Sequence, residues 1–213
     1  MKTTVIAAVS LLIAATAPAL AAGQAATIDP PAEGSVSASD GLAAFDRIYE
    51  VVTHPRCANC HVGQEGIPMW SGPSYGKTRA HGMNVRAGES RIGIEALACS
   101  SCHTKLSEDR EGANDLPHAA PRVNAFWRLA PAEFVWFGQS KDEICAQLSD
   151  PDRTGGRDAV GLARHLVEDA EHGGFIGWGW KPGGNREPAP YTLQDHVNDI
   201  LAWGAAGTPC PGR

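Results

Sequence analysis

Apolar and polar residues alternate along this chain mostly with the period of helices. Leu42, Phe45, Ile48, Tyr49 and Val52 follow i, i+3, i+4 spacing, which predicts an amphipathic helix opening near Asp40. It should stop before His54-Pro55, because proline pushes its predecessor out of the helical region. Ser140 with Glu143 three residues on forms a capping box opening a helix through Ile144 and Leu148. Asp158 is a candidate cap for the next helix, with Leu162 and Leu166 on its apolar face. Thr192 and Asp195 open the last, where Leu193, Val197, Ile200 and Leu201 share one face and Gly204 marks the end.

Between these helices the pattern breaks down. Gly63 to Gly93 holds seven glycines and two prolines and reads as irregular loop. A short helix is expected over 96–103, and Pro131-Ala132-Glu133 looks like another helix start. Phe134-Val135-Trp136-Phe137 is the one strand candidate, too short to carry a sheet. The pattern is that of a mainly α chain with long loops.

The termini read differently. Lys2, the apolar run Val5–Ile13 and the small residues Ala19 and Ala21 predict an export signal over 1–21, cleaved after Ala21. Residues 22–39, rich in Ala, Pro and Ser, read as a disordered leader, so the folded domain is expected over 40–213. No later apolar run is long enough to span a bilayer, and the expected compartment is the periplasm, where disulfides persist. The formal net charge of -6 gives no basic surplus for phosphates, so nucleic-acid binding is not expected. Only 7% of residues are aromatic, few for a loop-rich chain to fill a core with side chains alone.

Cys57-Ala58-Asn59-Cys60-His61 and Cys99-Ser100-Ser101-Cys102-His103 are both C-x-x-C-H. Two thiols on one turn reach the two vinyl groups of a haem and form thioethers, and the adjacent His supplies one axial nitrogen to the iron. A four-thiolate zinc ribbon or a redox dithiol needs no His directly after each pair. A chance His there occurs about once in forty positions, so two in register point to two covalently bound c-type haems. Cys57, Cys60, Cys99 and Cys102 would be the anchors, with His61 and His103 as proximal ligands. That leaves Cys145 and Cys210, for which a disulfide is the default in an oxidising compartment. It would close a loop of roughly 66 residues, adding about 4 kcal/mol in the chain-entropy model.

The distal positions decide between carrier and catalyst. His81, in the loop between the motifs, and His165, beside Leu162 and Leu166, are the leading candidates, and Met83 is an alternative to His81. His54 is read as a hydrogen-bond partner of a haem propionate, and His118, His172 and His196 as solvent-facing. Arg56, Arg86, Arg91 and Arg122 are candidates for pairing propionates. Trp178 and Trp180 are read as packing residues.

These residues resemble a family, the dihaem cytochromes often labelled "isoquinoline 1-oxidoreductase subunit". The likeness begins at His54-Pro55-Arg56-Cys57 and Cys60-His61. It continues through His81, Val85-Arg86, Cys99, Leu129-Ala130-Pro131 and Trp136-Phe137-Gly138-Gln139-Ser140 to Ile144-Cys145-Ala146-Gln147-Leu148 and Gly155-Gly156. It closes with Gly177-Trp178-Gly179-Trp180-Lys181-Pro182-Gly183, Arg186-Glu187-Pro188-Ala189-Pro190, Gly204-Ala205-Ala206 and Cys210-Pro211, about Leu42 to Pro211 in all. The resemblance implies a small cytochrome c-like helical fold with long loops wrapped around two haems. It also implies a carrier between a periplasmic oxidoreductase, a molybdenum hydroxylase, and the respiratory chain, with redox proteins as partners. His81 and His165 fall at motif positions. Phe134 stands where relatives often carry Met, and Tyr191 replaces a Gly. The chain is expected to be a carrier and not itself an enzyme. The competing expectation is a dihaem peroxidase or sulfur-compound oxidoreductase, which would need one haem without a strong distal ligand.

Overall fold

A computed structural model describes residues 26–71, 78–101, 128–171, 176–182 and 187–212. The architecture is mainly helical. Four longer helices, α1 (Ala38–Thr53), α3 (Lys141–Leu148), α5 (Ala159–Glu171) and α6 (Leu193–Ala205), form the framework. Single turns α2 (Pro55–Ala58) and α4 (Pro151–Thr154) extend it.

Local chemistry accounts for these boundaries. The Ser37 hydroxyl accepts from the Asp40 amide and caps α1, which ends at Thr53 as His54-Pro55 demands. The chain restarts at once with Pro55 as the first residue of α2, the position where its missing N–H costs nothing. Ser140/Glu143 and Thr192/Asp195 are both full capping boxes, and Asp158 accepts from the Gly161 amide at 2.7 Å to open α5.

The core lies where α1, α3, α5 and α6 meet. Phe45, Ile48, Ile144, Ala163, Val197 and Trp203 are all but inaccessible to solvent, each large one contributing about 1.5–3 kcal/mol. Phe45 and Trp203 rings lie 5.3 Å apart, and the indole N–H donates to the Pro209 carbonyl at 3.0 Å. Helices α1 and α6 run antiparallel. A Cβ on Gly41 would come within 2.4 Å of the Ala206 Cβ, and Arg47 Nε donates to both Asp199 oxygens at 3.1 and 3.0 Å. The Cys145–Cys210 disulfide pins α3 to the C-terminal segment.

Several sequence expectations change. Part of the segment read as a leader is packed: Ala26 and Ile28 lie against the core, and the Gly34 amide donates to the Ala205 carbonyl at 2.8 Å. An Ala- and Pro-rich composition hid these two apolar anchors. Gly204 lies inside α6, where a Cβ would come within 2.3 Å of the Ala159 Cβ of α5; positive φ after the helix falls on Gly207. Pro131–Phe134 makes a hydrogen-bonded turn in place of a helix, and Phe134–Phe137 is not a strand. The strand pair is instead β1 (Met69–Trp70) with β2 (Arg79–Ala80), antiparallel, with Met69 opposite Ala80. Of the helix expected over 96–103, a 3₁₀ turn at Cys99–Ser101 is described. Among the described residues no helix is long and apolar enough to cross a membrane. The expected export signal, Cys102, His103, His118, Arg122 and His172 lie outside the described residues.

Candidate functional site

The first motif sits directly on the framework. α2 carries Cys57, and its turn continues so that the Cys60 and His61 amides both donate to the Cys57 carbonyl at 3.1 Å. Cys57 and Cys60 are therefore one helical turn apart. Neither Cys57 nor Cys60 is in a disulfide. Burial, and next the charge of Cys60, pushes the Cys57 thiol up to about 12; burial and the charge of Cys99 push Cys60 up to about 11. Thiols held protonated at neutral pH are poor exchange nucleophiles, which weighs against a redox dithiol. Among the described residues no three His, Cys, Asp or Glu side chains converge as a metal site.

His61 is held on two sides. Its Nδ1 lies 2.9 Å from the Phe134 carbonyl, which can only accept, so the proton is on Nδ1. Burial pushes the imidazole down to about 4, and the neutral ring keeps its lone pair on Nε2. The ring stacks on Trp136, centroids 3.4 Å apart and planes within 4°. The Trp136 and Phe137 amides donate to the His61 carbonyl at 2.9 and 3.0 Å. Trp136 is in turn anchored to the framework, its indole N–H donating to buried Gln147 at 2.8 Å. A metal-binding imidazole oriented through its other nitrogen by a carbonyl is the arrangement that fixes a ligand's tautomer and direction. Trp136 and the Phe134 carbonyl had no assigned role from sequence; an indole beside the motif is invisible until the chain between them is folded.

A cavity of about 320 Å³ opens beside the motif, walled by Cys60, Cys99, Met69, Trp70, His81 and Leu129 among others. Its lining is mostly apolar, with Arg56 and Arg128 as basic members. The small ribbon β1–β2 brings His81 there, the His81 amide donating to the Pro68 carbonyl at 2.8 Å. His81 Nδ1 lies 2.8 Å from the Gly82 carbonyl, so in the neutral ring its lone pair also falls on Nε2. Met83 lines the same cavity, 82% exposed, on a left-handed backbone with φ 58.

The other candidates separate. His165 is exposed, off the Ala159–Ala163–Val167 stripe that α5 buries, and it does not line this cavity. Burial, and next the charge of Arg157, pushes its imidazole down. Being one residue from Leu166 placed it near the stripe, not on it. His196, expected to face solvent, is buried against Trp180, ring centroids 5.5 Å apart; the α6 face toward Trp180 is apolar only in three dimensions. His54 caps α2, its Nδ1 accepting from the Arg56 amide at 3.2 Å.

Of the arginines, Arg56 lines the cavity with Nε donating to the Glu187 carbonyl at 2.6 Å. Arg86 pairs with Glu65 at the surface at 2.9 Å. Arg91 ties down the Val62 and Gly63 carbonyls at 2.7 and 3.2 Å. Arg128, unremarked in the sequence, is the further cavity residue.

The donor set suits a c-type haem: Cys57 and Cys60 one turn apart, a His61 ring with its lone pair on Nε2, and an apolar cavity at Cys60 with guanidinium groups suited to propionates, although Cys57 and His61 do not themselves line that cavity. Cys57, Cys60 and His61 would hold it. Compared with protein-family models, with curated proteins and with solved structures, the chain matches none.

Proposed function

We propose that this chain is an exported dihaem c-type cytochrome with a cytochrome c-like fold, passing electrons between a periplasmic oxidoreductase and a respiratory chain. The molybdenum hydroxylase as donor rests on the family resemblance alone. The observation that carries the reading is the setting of His61: its proton committed to the Phe134 carbonyl, its ring stacked on Trp136, and its place one residue past the Cys57–Cys60 pair. When bound, haem supplies one-electron chemistry at each iron.

The chain's own residues have the remaining tasks. Trp136 and Phe134 keep the His61 ring from rotating, so little reorganisation accompanies a change of charge at its Nε2. Met69, Trp70 and Leu129 exclude water from the cavity wall, and Arg56 and Arg128 offset negative charge at its basic edge. His81 is the proposed distal ligand on the cavity side; His165, which does not line that cavity, is the other. An acidic chain favours partners with a basic docking patch, with on-rates that fall as salt rises.

The deciding measurement is an absorption spectrum of the purified exported protein, ferric, ferrous, and ferrous with carbon monoxide. Two low-spin haems indifferent to carbon monoxide are expected. A high-spin or carbon-monoxide-binding haem would favour the peroxidase or sulfur-compound oxidoreductase and withdraw His81 or His165. A colourless protein would end the haem reading altogether.

A further inference from the structure

Arg91 ties down the two residues that follow His61. Its Nη2 and Nη1 donate to the Val62 and Gly63 carbonyls at 2.7 and 3.2 Å. Its own amide donates to the Gly88 carbonyl at 3.0 Å, and its carbonyl accepts from the Leu129 amide at 2.9 Å, so its backbone is held on both sides. The residue nevertheless sits in the left-handed region, φ 59, where glycine or asparagine is at ease and a long side chain is not. An outlier of this kind points to a task for the side chain. The guanidinium is also a cation without a counter-ion. Its Nε is buried and has no hydrogen-bond partner, and among the described residues no carboxylate forms an ion pair with it. Burial pushes the guanidinium down from its usual value, and the charge of Glu133 opposes this. At His61 burial is the main force holding the imidazole down, and the Arg91 charge adds to it. Arg86 makes the contrast: it is paired with Glu65 at the surface, where its charge is both cancelled and screened.

Resting on the reading of His61 as a haem ligand, we propose that Arg91 is a positioning residue that sets the redox balance at that ligand: its fork clamps the chain just past His61, and its charge, left without a carboxylate, favours ferrous over ferric iron. The sign follows from electrostatics. Ferric iron carries one positive charge more than ferrous, so a fixed cation in a weakly screening setting makes removal of the electron less favourable. The two carbonyl bonds keep that cation in place without neutralising it, which a carboxylate would do.

The test is a spectroelectrochemical titration of the full exported holoprotein, after mass spectrometry has located the covalent haem. Arg91→Gln keeps a donor for the carbonyls and removes the charge. One haem transition should then lose about tenfold in its ferrous-to-ferric ratio at fixed potential, about 59 mV for a one-electron couple. Arg91→Lys keeps the charge without the fork and should stay close to wild type. Equal shifts in the two variants would make Arg91 a structural strut and overturn the proposal, as would no shift in either. Should Arg91→Gln take up no haem, Glu133→Gln decides. That carboxylate is exposed and opposes Arg91, so its removal should raise the ratio, and an unchanged ratio overturns the proposal. Unmoved transitions in a haem-loaded protein leave the cytochrome reading standing, whereas wild-type protein without haem on Cys57 and Cys60 ends that reading instead.

Discussion

The helical framework and the motif-bearing loops are built on different principles. In the framework, Phe45, Ile48, Ile144, Val197 and Trp203 pack on one another with almost no exposure, and every long helix start is capped. Around the cavity the described residues form a two-stranded ribbon and short 3₁₀ turns. There Met83, Ile94 and Leu97 line a cavity while being 82%, 42% and 46% exposed. Met83, Asn84, Arg91 and Glu95 also adopt positive φ without being glycine, each at a cost of order 1–3 kcal/mol. The framework is held by its own side chains. The loop region directs its apolar side chains at a cavity, as expected of a lining for a prosthetic group. Trp136 joins the two, stacked on His61 and hydrogen-bonded to Gln147.

The comparison is best attacked first at the framework. Trp203→Ala removes the Phe45 contact and the Pro209 hydrogen bond, and should cost about 3–5 kcal/mol. Denaturant midpoints should fall while the native Soret spectrum is unchanged. A changed native spectrum would mean the two regions are not separable. Replacing Cys145 and Cys210 together by Ala is the next largest, a loss of about 4 kcal/mol in the chain-entropy model for a bridge spanning 65 residues. Its signature is a lower thermal midpoint at unaltered haem content.

Acid should weaken the framework through His196. Burial pushes this imidazole from 6.5 down to about 4, so between those values the unfolded chain takes up a proton that the folded chain refuses. Stability present above pH 6.5 is lost as pH falls through that window, roughly 3 kcal/mol in all. Guanidinium titrations at several pH values on wild type and His196→Leu check this: the variant should have a flatter acid limb, and an unchanged limb would assign the loss to another group. The smallest stability effect, and the sharpest test, is Trp136→Leu. It leaves the Gln147 oxygen without its donor, costing about 2 kcal/mol, yet it should shift the absorption and potential of the haem proposed on Cys57 and Cys60. A silent spectrum would show that the stack does not position His61.

Some of the site was legible from residue order alone, because its determinants are local. A C-x-x-C-H motif puts its thiols and imidazole on one turn whatever surrounds it, and the Ser140/Glu143 and Thr192/Asp195 boxes close within four residues. The apolar face of α1 was legible for the same reason. Tyr191 shows a case halfway. The resemblance marked it as a departure from Gly, and its φ of 62 shows why Gly suits that position, while its hydroxyl donates to Glu50 at 2.5 Å. That partner lies on α1, 141 residues away, beyond the reach of local pattern.

What the sequence determined by itself was the four longer helices, the caps of three of them and the pairing left to Cys145 and Cys210, all of which depend on neighbours within a turn or on elimination. The tertiary structure decided that Phe134 and Trp136 hold His61, that His196 is buried and His165 exposed, and that Cys60 and Cys99 open into one cavity. Each of those is a contact between distant segments. It depends on how loops without periodicity close over the framework, and no spacing along the chain encodes that.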